Sequence, residues 1–486
     1  MRIYSLNTRI WLKRLQPERP LRLHEVPPAA WRFFAERSDA LWLMGVWQNS
    51  AQDASCWYTA DLISAYKAAL PDWRPEDVSG SPFAIRDYTV HADFGTLAGL
   101  ARVRKHLNSM GLKLILDFIP NHYSKSSPLI AAQPKAFLQA PADMAQQDGN
   151  TFFQAPGSRA YFAHGRDPFF PAWQDTVQVN FFHPQGRELQ LKKLLSLAPL
   201  CDGLRCDMAM LALTSVFART WGPVIEPMGL QAPAKEFWQQ AIARVKEFFP
   251  DFLFIAEAYW GKEPELQALG FDLTYDKSLL DYLRAQDCPG LRAHISNSGG
   301  SGRWLRFIEN HDEQRAAVSL GYPRALAAAL ICTTLPGSVL LHDGQLTGKT
   351  VHLPLQLNRE PGEPVHQETA WFYGGLLPHL RHPAFTQGDW TWLEVAPADP
   401  GNSAQHLFAW LWRYEENMRL VVVNYSEDQA CGRIRLPVKR QDTVVLQDLL
   451  TQSLYLRSAR ELSSPGLFVL LGGFQCHLFA FSLTQA

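Results

Sequence analysis

The feature that most constrains the fold is a set of eight short apolar segments in the first three quarters of the chain, with helix-like segments between them. Short apolar runs of this kind, several of which end at a charged residue, are typical of buried parallel strands. Eight strands that alternate with helices favour an α/β fold with a closed (β/α)8 barrel. The predicted strands are residues 3–10, 40–46, 112–118, 203–206, 252–256, 271–275, 304–308 and 338–341.

The segment before the third predicted strand is an amphipathic helix. Its apolar residues recur at helical spacing, and Gly111 follows in the position where a glycine usually ends a helix. Residues 234–248 and 324–330 also have helical patterns. The apolar face of the helix before the third predicted strand consists of Leu97, Leu100, Val103, Leu107 and Met110.

Two parts of the chain depart from this alternation. Residues 123–180 are rich in proline, glutamine, glycine and aromatic residues, and they are too long for a simple connection. From residue 389 onward, short strand-like runs replace the helical pattern. We therefore expect a TIM barrel of residues 1–122 and 181–388, an inserted domain B of residues 123–180 after strand 3, and a C-terminal β-sandwich domain of residues 389–486.

Composition excludes several classes of partner. The net charge is −1 at pH 7 and no basic stripe is present, so we expect no nucleic acid. No segment approaches the ~18 consecutive apolar residues that span a bilayer, so we expect no membrane partner. The seven cysteines are scattered, and the first residues lack the pattern of a secretory signal. We expect reduced thiols and a cytoplasmic protein, with the oligomeric state left open.

Acidic residues lie at the ends of four predicted strands: Asp117, Asp207, Glu257 and Asp312. A single acidic residue in such a place is usually a helix cap or a partner in a loop ion pair. The carboxyl ends of barrel strands, however, meet at one face. Four acidic ends therefore favour one pocket lined by carboxylates.

These strand ends resemble the four signature motifs of glycoside hydrolase family 13, the α-amylase superfamily. The motifs stand in the family's order on the third, fourth, fifth and seventh predicted strands. The barrel, the insertion and the terminal β-domain match as well, so the resemblance covers nearly the whole chain. The matching stretches are Asp117-Phe-Ile-Pro-Asn121-His122, Gly203-Leu-Arg205-Cys-Asp207, the isolated Glu257, and Asn310-His311-Asp312.

The resemblance implies a retaining α-glycosidase that acts on α-linked glucosides, either a malto-oligosaccharide or an α-glucan. Asp207 would be the nucleophile that forms a covalent glycosyl-enzyme. Glu257 would protonate the departing oxygen and then activate the incoming acceptor. Asp312 resembles the third catalytic carboxylate of the family, which accepts hydrogen bonds from sugar hydroxyls. In a retaining arrangement the two catalytic carboxyls lie about 5–5.5 Å apart.

Five further positions are implied to contact the substrate: Phe83, Asp117, His122, Arg205 and His311. Arg205 lies two residues before Asp207 on the same strand face, where it can hold the nucleophile ionised. For Asp117, a structural ion pair with Arg205 is an equal alternative to substrate contact. The alternative for His122 and His311 is that each is a buried core residue whose hydrogen bonds are made within the protein. Phe83 stands where the family usually has tyrosine, so the ring face is kept and the hydroxyl is lost.

The match departs from the family at several positions. Met210 and Leu211 stand where many starch-cleaving relatives have a Lys-His pair, which weakens the case for endo-cleavage of long chains. Gln345 stands where glutamate is common. Asn121 and Asp175 resemble calcium-binding positions of secreted amylases, but no other ligand is identifiable. We therefore expect no cofactor, with calcium as an open possibility.

Alternatives remain open at this stage. A transglycosylase or sugar synthase would use the same covalent intermediate. More remote is a non-catalytic carbohydrate-binding or transporter-accessory relative. Transporter-accessory chains carry a membrane anchor and often lack a carboxylate, and a carbohydrate-binding module would not need an acid and a nucleophile on separate strands. Aromatic residues of the inserted segment either form its own small core or a sugar-binding wall; they include Tyr161, Phe162, His164, Phe169, Phe170 and Trp173, followed by Phe181 and Phe182.

Overall fold

The computed structural model describes residues 1–19, 21–50, 54–298, 300–438 and 443–482. Eight parallel strands form a closed barrel, so the predicted TIM barrel is confirmed. The strands are β1 (Arg2–Asn7), β2 (Ala40–Met44), β3 (Lys113–Phe118), β4 (Gly203–Cys206), β5 (Leu253–Ala256), β6 (Leu273–Tyr275), β7 (Trp304–Arg306) and β8 (Ser338–His342). Their order around the barrel is β1-β8-β7-β6-β5-β4-β3-β2, so neighbours in sequence are neighbours in space.

Helices follow or connect these strands. The predicted helix before β3 is present, and Gly111 has the positive φ of 75° that ends it. The helices are α1 (Thr8–Leu15), α2 (Pro28–Ala35), α3 (Ala60–Ala69), α4 (Leu97–Ser109), α5 (Leu129–Ala132), α6 (Ala142–Gln147), α7 (Pro184–Leu197), α8 (Thr214–Ile225), α9 (Phe237–Phe248), α10 (Glu263–Ala268), α11 (Lys277–Ala285), α12 (Cys288–Asn297), α13 (Ala316–Ser319), α14 (Tyr322–Thr334), α15 (Gln367–His379), α16 (Ala384–Gln387) and α17 (Ala459–Glu461).

The first predicted strand, residues 3–10, is too long at its carboxyl end. The side chain of Asn7 accepts hydrogen bonds from the backbone N–H groups of Arg9 at 3.1 Å and Ile10 at 3.3 Å. This is the arrangement of a helix N-cap, so α1 begins at Thr8 although its residues continue the apolar run.

The chain divides into two compact units. The amino-terminal unit comprises Ile3–Tyr275 and Val351–Gly362, and the carboxyl-terminal unit comprises Met1–Arg2, Asp276–Thr350 and Glu363–Ala486. Within the part of the chain that the structure describes, no helix is long and apolar enough to cross a membrane.

Strand register in the amino-terminal unit aligns the ends of β3, β4 and β5. Cys206, the last residue of β4, pairs with Phe118 of β3 and with Ala256 of β5. Because parallel strands in this register end at the same level, the next residues, Asp207 and Glu257, leave the sheet side by side. The two backbones stay linked there, since Glu257 N donates to the Cys206 carbonyl at 3.1 Å.

The segment between β3 and α7 contains two small antiparallel sheets. The strands His122–Ser124 and Thr176–Gln178 pair with each other and so tie the two ends of the segment together. Three more strands, Gln139–Ala140, Phe152–Gln154 and Tyr161–Ala163, form the second sheet. A further pair, Trp47–Asn49 and Ile85–Val90, lies between β2 and α4. The predicted limits of the inserted and C-terminal domains stay a prediction.

The carboxyl-terminal unit ends in antiparallel sheets, as predicted. A six-stranded sheet has the order β9-β11-β12-β17-β14-β15 and a three-stranded sheet the order β10-β13-β16, with strands β9 (Asp389–Leu393), β10 (Val395–Pro397), β11 (Leu407–Tyr414), β12 (Asn417–Asn424), β13 (Ala430–Ile434), β14 (Thr443–Asp448), β15 (Leu454–Ser458), β16 (Leu467–Leu471) and β17 (Cys476–Ser482). One apolar core includes inward residues of both sheets, among them Leu420 and Val469.

Candidate active site

Arg205 is the centre of the site in the amino-terminal unit. Its Nη1 donates to Asp207 Oδ1 at 2.6 Å, and its Nη2 lies 2.8 Å from Glu257 Oε1. All three side chains are buried. A guanidinium presents donors in a fixed planar fork, so it sets two carboxylates at defined positions on neighbouring strands. The structure thus brings together Arg205, Asp207 and Glu257.

Glu257 accepts two further hydrogen bonds. The backbone N–H of Met208 donates to Oε2 at 2.6 Å, and the hydroxyl of Tyr259 donates to Oε1 at 3.0 Å. Met208 has a left-handed backbone, with φ 41° and ψ 49°, which is uncommon for a residue other than glycine. This turn aims the Met208 N–H across the gap between β4 and β5 at the glutamate. The backbone is therefore strained where it serves the carboxylate.

Aromatic rings surround the Arg205 guanidinium. Its central carbon lies 5.2 Å from the ring centre of Trp42, 5.4 Å from that of Phe83 and 5.6 Å from that of Tyr275. The Tyr275 hydroxyl also accepts from Arg205 Nε at 3.2 Å. The negative ring faces favour the buried cation electrostatically. Phe83 therefore stands beside the carboxylate pair, where the resemblance expects an aromatic platform.

Asp117 is held by neutral donors rather than by an arginine fork. Its carboxylate accepts from Trp42 Nε1 at 2.8 Å and from the backbone N–H of Gly45 at 2.6 Å. Burial raises the pKa of Asp117 to about 6, although the Gly45 donor and the charge of Arg205 lower it. In the resting protein Asp117 thus fixes Trp42, one of the rings over Arg205, and braces the end of β2.

His122 lies at the start of the inserted segment and is buried. Burial lowers the pKa of His122 to about 4, against the opposing negative charge of Asp175. The imidazole is therefore neutral at physiological pH and packs on Trp173, with ring centres 5.1 Å apart. Its Nδ1 is buried without a hydrogen-bond partner. The imidazole also forms a hydrogen bond with the backbone of Phe83.

His311 and Asp312 belong to the carboxyl-terminal unit, on the loop after β7. His311 is buried, whereas the side chain of Asp312 is 40% exposed, and His311 Nε2 lies 3.1 Å from Asp312 Oδ2. β7 ends at Arg306, two residues before the predicted end, so Asp312 stands on a longer loop than expected. Its part in catalysis stays a prediction.

Asn121 and Asp175 each accept a hydrogen bond from another side chain. The side-chain oxygen of Asn121 accepts from Gln178 Nε2 at 2.8 Å, and Asp175 Oδ2 accepts from Trp57 Nε1 at 3.2 Å. Calcium needs six to eight oxygen ligands, so these two residues alone cannot hold it. Among the described residues no group of three or more acidic, histidine or cysteine side chains is arranged to hold a metal.

The aromatic residues of the inserted segment separate into two groups. Phe162, His164, Phe181 and Phe182 are buried, as expected for a small core. Phe169 and Phe170 are instead 54% and 68% exposed, and the Phe169 ring lies 5.0 Å from that of Trp260, itself 41% exposed. Buried Asp167 accepts from the backbone N–H groups of both phenylalanines, which fixes this exposed pair.

Three residues of the site have no counterpart among the predicted positions. Tyr275 is the last residue of a predicted strand. Because the carboxyl ends of barrel strands meet at one face, its position could have indicated a site residue, as the positions of the acidic residues did. Tyr259 follows Glu257 by two residues, and only the folded turn brings its hydroxyl back to the carboxylate. Met208 carries no sequence signal, because its contribution is a backbone N–H.

This arrangement combines one guanidinium with two carboxyl groups in a buried site. The two carboxyl groups are candidates for attack and for proton transfer. The nearer oxygen of each carboxylate is bound to the same guanidinium. A bond cleavage flanked by two carboxyl groups is the chemistry of glycoside hydrolysis.

Sequence comparison finds similarity between the chain and curated α-amylases. The chain is 26% identical over 271 residues to α-amylase MalA from Haloarcula japonica, a match that covers 54% of this chain and 35% of the relative. The match thus spans about a third of that relative's length. No family model matches the chain.

Comparison of folds gives matches over the full length. A noncanonic maltogenic α-amylase, AmyB from Thermotoga neapolitana, superposes with a TM-score of 0.69 at 16% identity and covers 100% of this chain and 99% of its own. An α-glucosyl transfer enzyme, XgtA, also has a TM-score of 0.69, at 15% identity, and covers 99% and 98% of the two chains. At such low identity these likenesses establish a shared fold.

Proposed function

We propose that the chain is a glycoside hydrolase of the α-amylase superfamily and that it cleaves α-linked glucosides with retention of anomeric configuration. The substrate class is a malto-oligosaccharide or an α-glucan. The single observation that carries this proposal is the shared guanidinium: Arg205 binds Asp207 and Glu257 at 2.6 and 2.8 Å. Two carboxylates so close together, on adjacent strand ends, suit attack and proton transfer at one bond.

In the first step Asp207 attacks the anomeric carbon, while Glu257 gives a proton to the glycosidic oxygen. A bond from Asp207 to the sugar forms, the bond to the leaving oxygen breaks, and the leaving sugar departs as an alcohol. Arg205 supports this step because its hydrogen bond to Asp207 keeps the nucleophile ionised and oriented. The transition state carries positive charge on the sugar ring, which the adjacent Asp207 carboxylate stabilises.

In the second step Glu257 takes a proton from water, and the resulting hydroxide attacks the anomeric carbon of the glycosyl-enzyme. Asp207 leaves as a carboxylate, so the two displacements together restore the starting configuration. In the structure Glu257 accepts hydrogen bonds from the Tyr259 hydroxyl and the Met208 N–H, and it forms an ion pair with Arg205. These donors suit the ionised form that must act as base in this step.

The remaining predicted residues have supporting roles in this proposal. Phe83 offers a ring face to the sugar next to Arg205, and neutral His122 offers a nitrogen to a hydroxyl. Asp312 and His311 stay predicted contacts to sugar hydroxyls. Asp117 acts through Trp42 and Arg205 rather than by direct contact, because both of its carboxylate oxygens already accept protein donors.

A second candidate is transfer of the glycosyl group to a sugar. Met210 and Leu211 are buried and apolar, where starch-cleaving relatives offer hydrogen bonds to the acceptor side. Phe169 and Trp260 instead expose ring faces, which stack on pyranose rings. A sugar bound there competes with water for the glycosyl-enzyme. The similar fold of an α-glucosyl transfer enzyme agrees with this alternative.

The experiment that tests the proposal is NMR of the reaction mixture with maltose, maltoheptaose, trehalose or sucrose. Retention predicts that the first reducing sugar released from an α-linked substrate is the α-anomer. Initial release of the β-anomer would contradict the mechanism. Longer or rearranged products would identify transfer as the main reaction, and shorter products alone would identify hydrolysis.

The proposed compartment is the cytoplasm. It is supported by the cysteine chemistry, since the seven cysteines are free and Cys201 and Cys206 are buried core thiols. Fractionation of the source cells, with immunodetection of the protein, tests this part of the proposal.

A further inference from the structure

A buried ion pair closes the base of the loop that carries His311 and Asp312. Glu309 Oε1 and Arg315 Nη1 are 2.6 Å apart, and their side chains are 2% and 8% exposed. The pair joins residues on either side of Asp312 and lies within the carboxyl-terminal unit. The loop between them is therefore a closed ring of backbone and ion pair.

Both partners make a second contact that fixes the ring. Glu309 Oε2 accepts from the backbone N–H of Ala316, the first residue of α13, at 2.7 Å. Arg315 Nη1 also donates to the carbonyl of Asp343, just after β8, at 2.8 Å. The ion pair thus attaches the loop after β7 to the start of α13 and to the end of β8.

Inside the ring a further contact sets the direction of Asp312. Asn310 Oδ1 accepts from the backbone N–H groups of Asp312 and Glu313, each at 2.9 Å. Asn310 is the neighbour of Glu309, so the orientation of the Asp312 backbone follows from the position of the ion pair. Glu313 is held from outside the ring by Arg284 of α11.

Stability alone is a weak explanation for this pair. Removing two charges from water is costly, and a buried ion pair is often no more stabilising than apolar residues of the same size. The pair spans the loop that bears the third predicted carboxylate. Positioning is the function that this geometry serves.

We propose that Glu309 and Arg315 are positioning residues that set where the Asp312 carboxylate stands during bond cleavage. The inference rests on the proposed function, because it assigns Asp312 a role in the transition state. Neither Glu309 nor Arg315 touches the sugar. Their effect is transmitted through the loop backbone, and a small displacement of a catalytic group is enough to lower the rate strongly.

The test is a double-mutant cycle on the purified full chain, with 4-nitrophenyl α-maltotrioside as the probe. The variants are Glu309→Gln, Asp312→Asn and the two combined. We expect Glu309→Gln to lower kcat about 10- to 100-fold with a smaller change in KM. In the Asp312→Asn background the same change should lower kcat no further, since an effect that passes through Asp312 is already lost.

Arg306→Lys is the matched control, because Arg306 forms another buried pair in the same unit, with Asp276 at 3.2 Å. We expect Arg306→Lys to lower the urea concentration at the midpoint of unfolding. Its kcat should stay within about twofold of the wild-type value, because this pair is independent of Asp312. Arg315→Lys keeps the charge opposite Glu309 and should retain more activity than Glu309→Gln.

Each other result overturns the inference. Unchanged kcat in Glu309→Gln, equal losses of kcat in Glu309→Gln and Arg306→Lys, or additive losses in the cycle would all show that the pair has no positioning role. In those cases an active wild type and a weakened Asp312→Asn variant leave the proposed function intact. A wild-type protein without glycosidase activity on the NMR substrates would overturn both.

Discussion

At the scale of single residues, Arg205 should be the most sensitive non-carboxylate position. Lysine at this position keeps the charge, but one ammonium group cannot reproduce a fork to Asp207 and Glu257 with a third bond to Tyr275. We expect Arg205→Lys to lower kcat about 10²- to 10³-fold, the cost of losing one preorganised donor in a buried site. Steady-state kinetics on maltoheptaose measure it.

Arg104→Lys is the control for that change. Arg104 pairs with Asp202 at 2.8 Å, at the opposite end of β4, so it tests the same substitution away from the carboxylates. Its kcat should match that of the wild type. If Arg205→Lys were as active as Arg104→Lys, the shared guanidinium would have no catalytic part.

His122 gives a pH dependence of stability with a defined sign. Its pKa is lowered to about 4 in the folded chain, against an ordinary value near 6.5, so between these values the unfolded chain binds more protons. The stability that neutral His122 preserves at pH 7 is therefore lost as the pH falls toward 4. The wild type should lose about 2 kcal/mol more than His122→Asn between pH 7 and 4.5.

Urea unfolding of both proteins at the two pH values measures this difference. Asp117 acts in the opposite direction, because its raised pKa lets the folded chain bind a proton first as the pH falls. Since Asp117 is present in both proteins, the comparison isolates the histidine. Parallel pH profiles for the two proteins would contradict a neutral, buried His122.

At the scale of elements, Gly203 is required by the close packing of β4 between β3 and β5. A Cβ there would lie 2.7 Å from Leu253 Cβ and 2.8 Å from the Leu253 carbonyl oxygen. We expect Gly203→Ala to cost about 1–3 kcal/mol of unfolding free energy, as overpacking does, and to lower kcat because the end of β4 shifts. Urea unfolding and kinetics measure the two effects.

Gly149→Ala is the matched control, since nothing lies within 4 Å of a Cβ at Gly149. It should unfold within about 0.5 kcal/mol of the wild type, the usual range for a surface substitution. A Gly203→Ala protein as stable and active as this control would show that the strand has room to adapt.

Element types were more predictable than their limits. The eight barrel strands were predictable because each is a buried parallel strand with a continuous apolar run, a signal that survives without tertiary information. The limits of β1 and β7 were not, because caps and loop contacts decide where a strand ends. In the C-terminal sheets the apolar residues of β15 do not mark a buried face, since Leu454 and Leu456 are 63% and 66% exposed.

In the candidate site, too, some features were predictable from the sequence and others were not. Asp207 and Glu257 were predictable as partners from motif and strand order, whereas their common binding to one guanidinium depends on strand register. Tyr259 and the Met208 N–H were not predictable, because a turn with a left-handed residue brings them to Glu257. Backbone groups have no signature in a sequence.

At the scale of the whole molecule, the C-terminal sheets should contribute stability rather than chemistry. Leu420 of β12 is fully buried in their core, and Leu420→Ala should cost about 2–5 kcal/mol of unfolding free energy. We expect kcat at 25 °C to stay at the wild-type value. Leu456→Ala on the same sheet, at an exposed position, should change neither quantity. A large loss of kcat in Leu420→Ala without unfolding would give these sheets a direct role.

The central claim is that Asp207 forms a covalent bond to the sugar. Removal of the nucleophile in Asp207→Asn should lower kcat about 10⁴-fold or more. The most direct measurement is peptide mass mapping after treatment with 5-fluoro-α-D-glucosyl fluoride, which slows release of a glycosyl-enzyme. We predict one added fluoroglucosyl group, on the peptide that contains Asp207. An adduct on a different residue, or no adduct from a protein that turns the reagent over with inversion, would contradict the account.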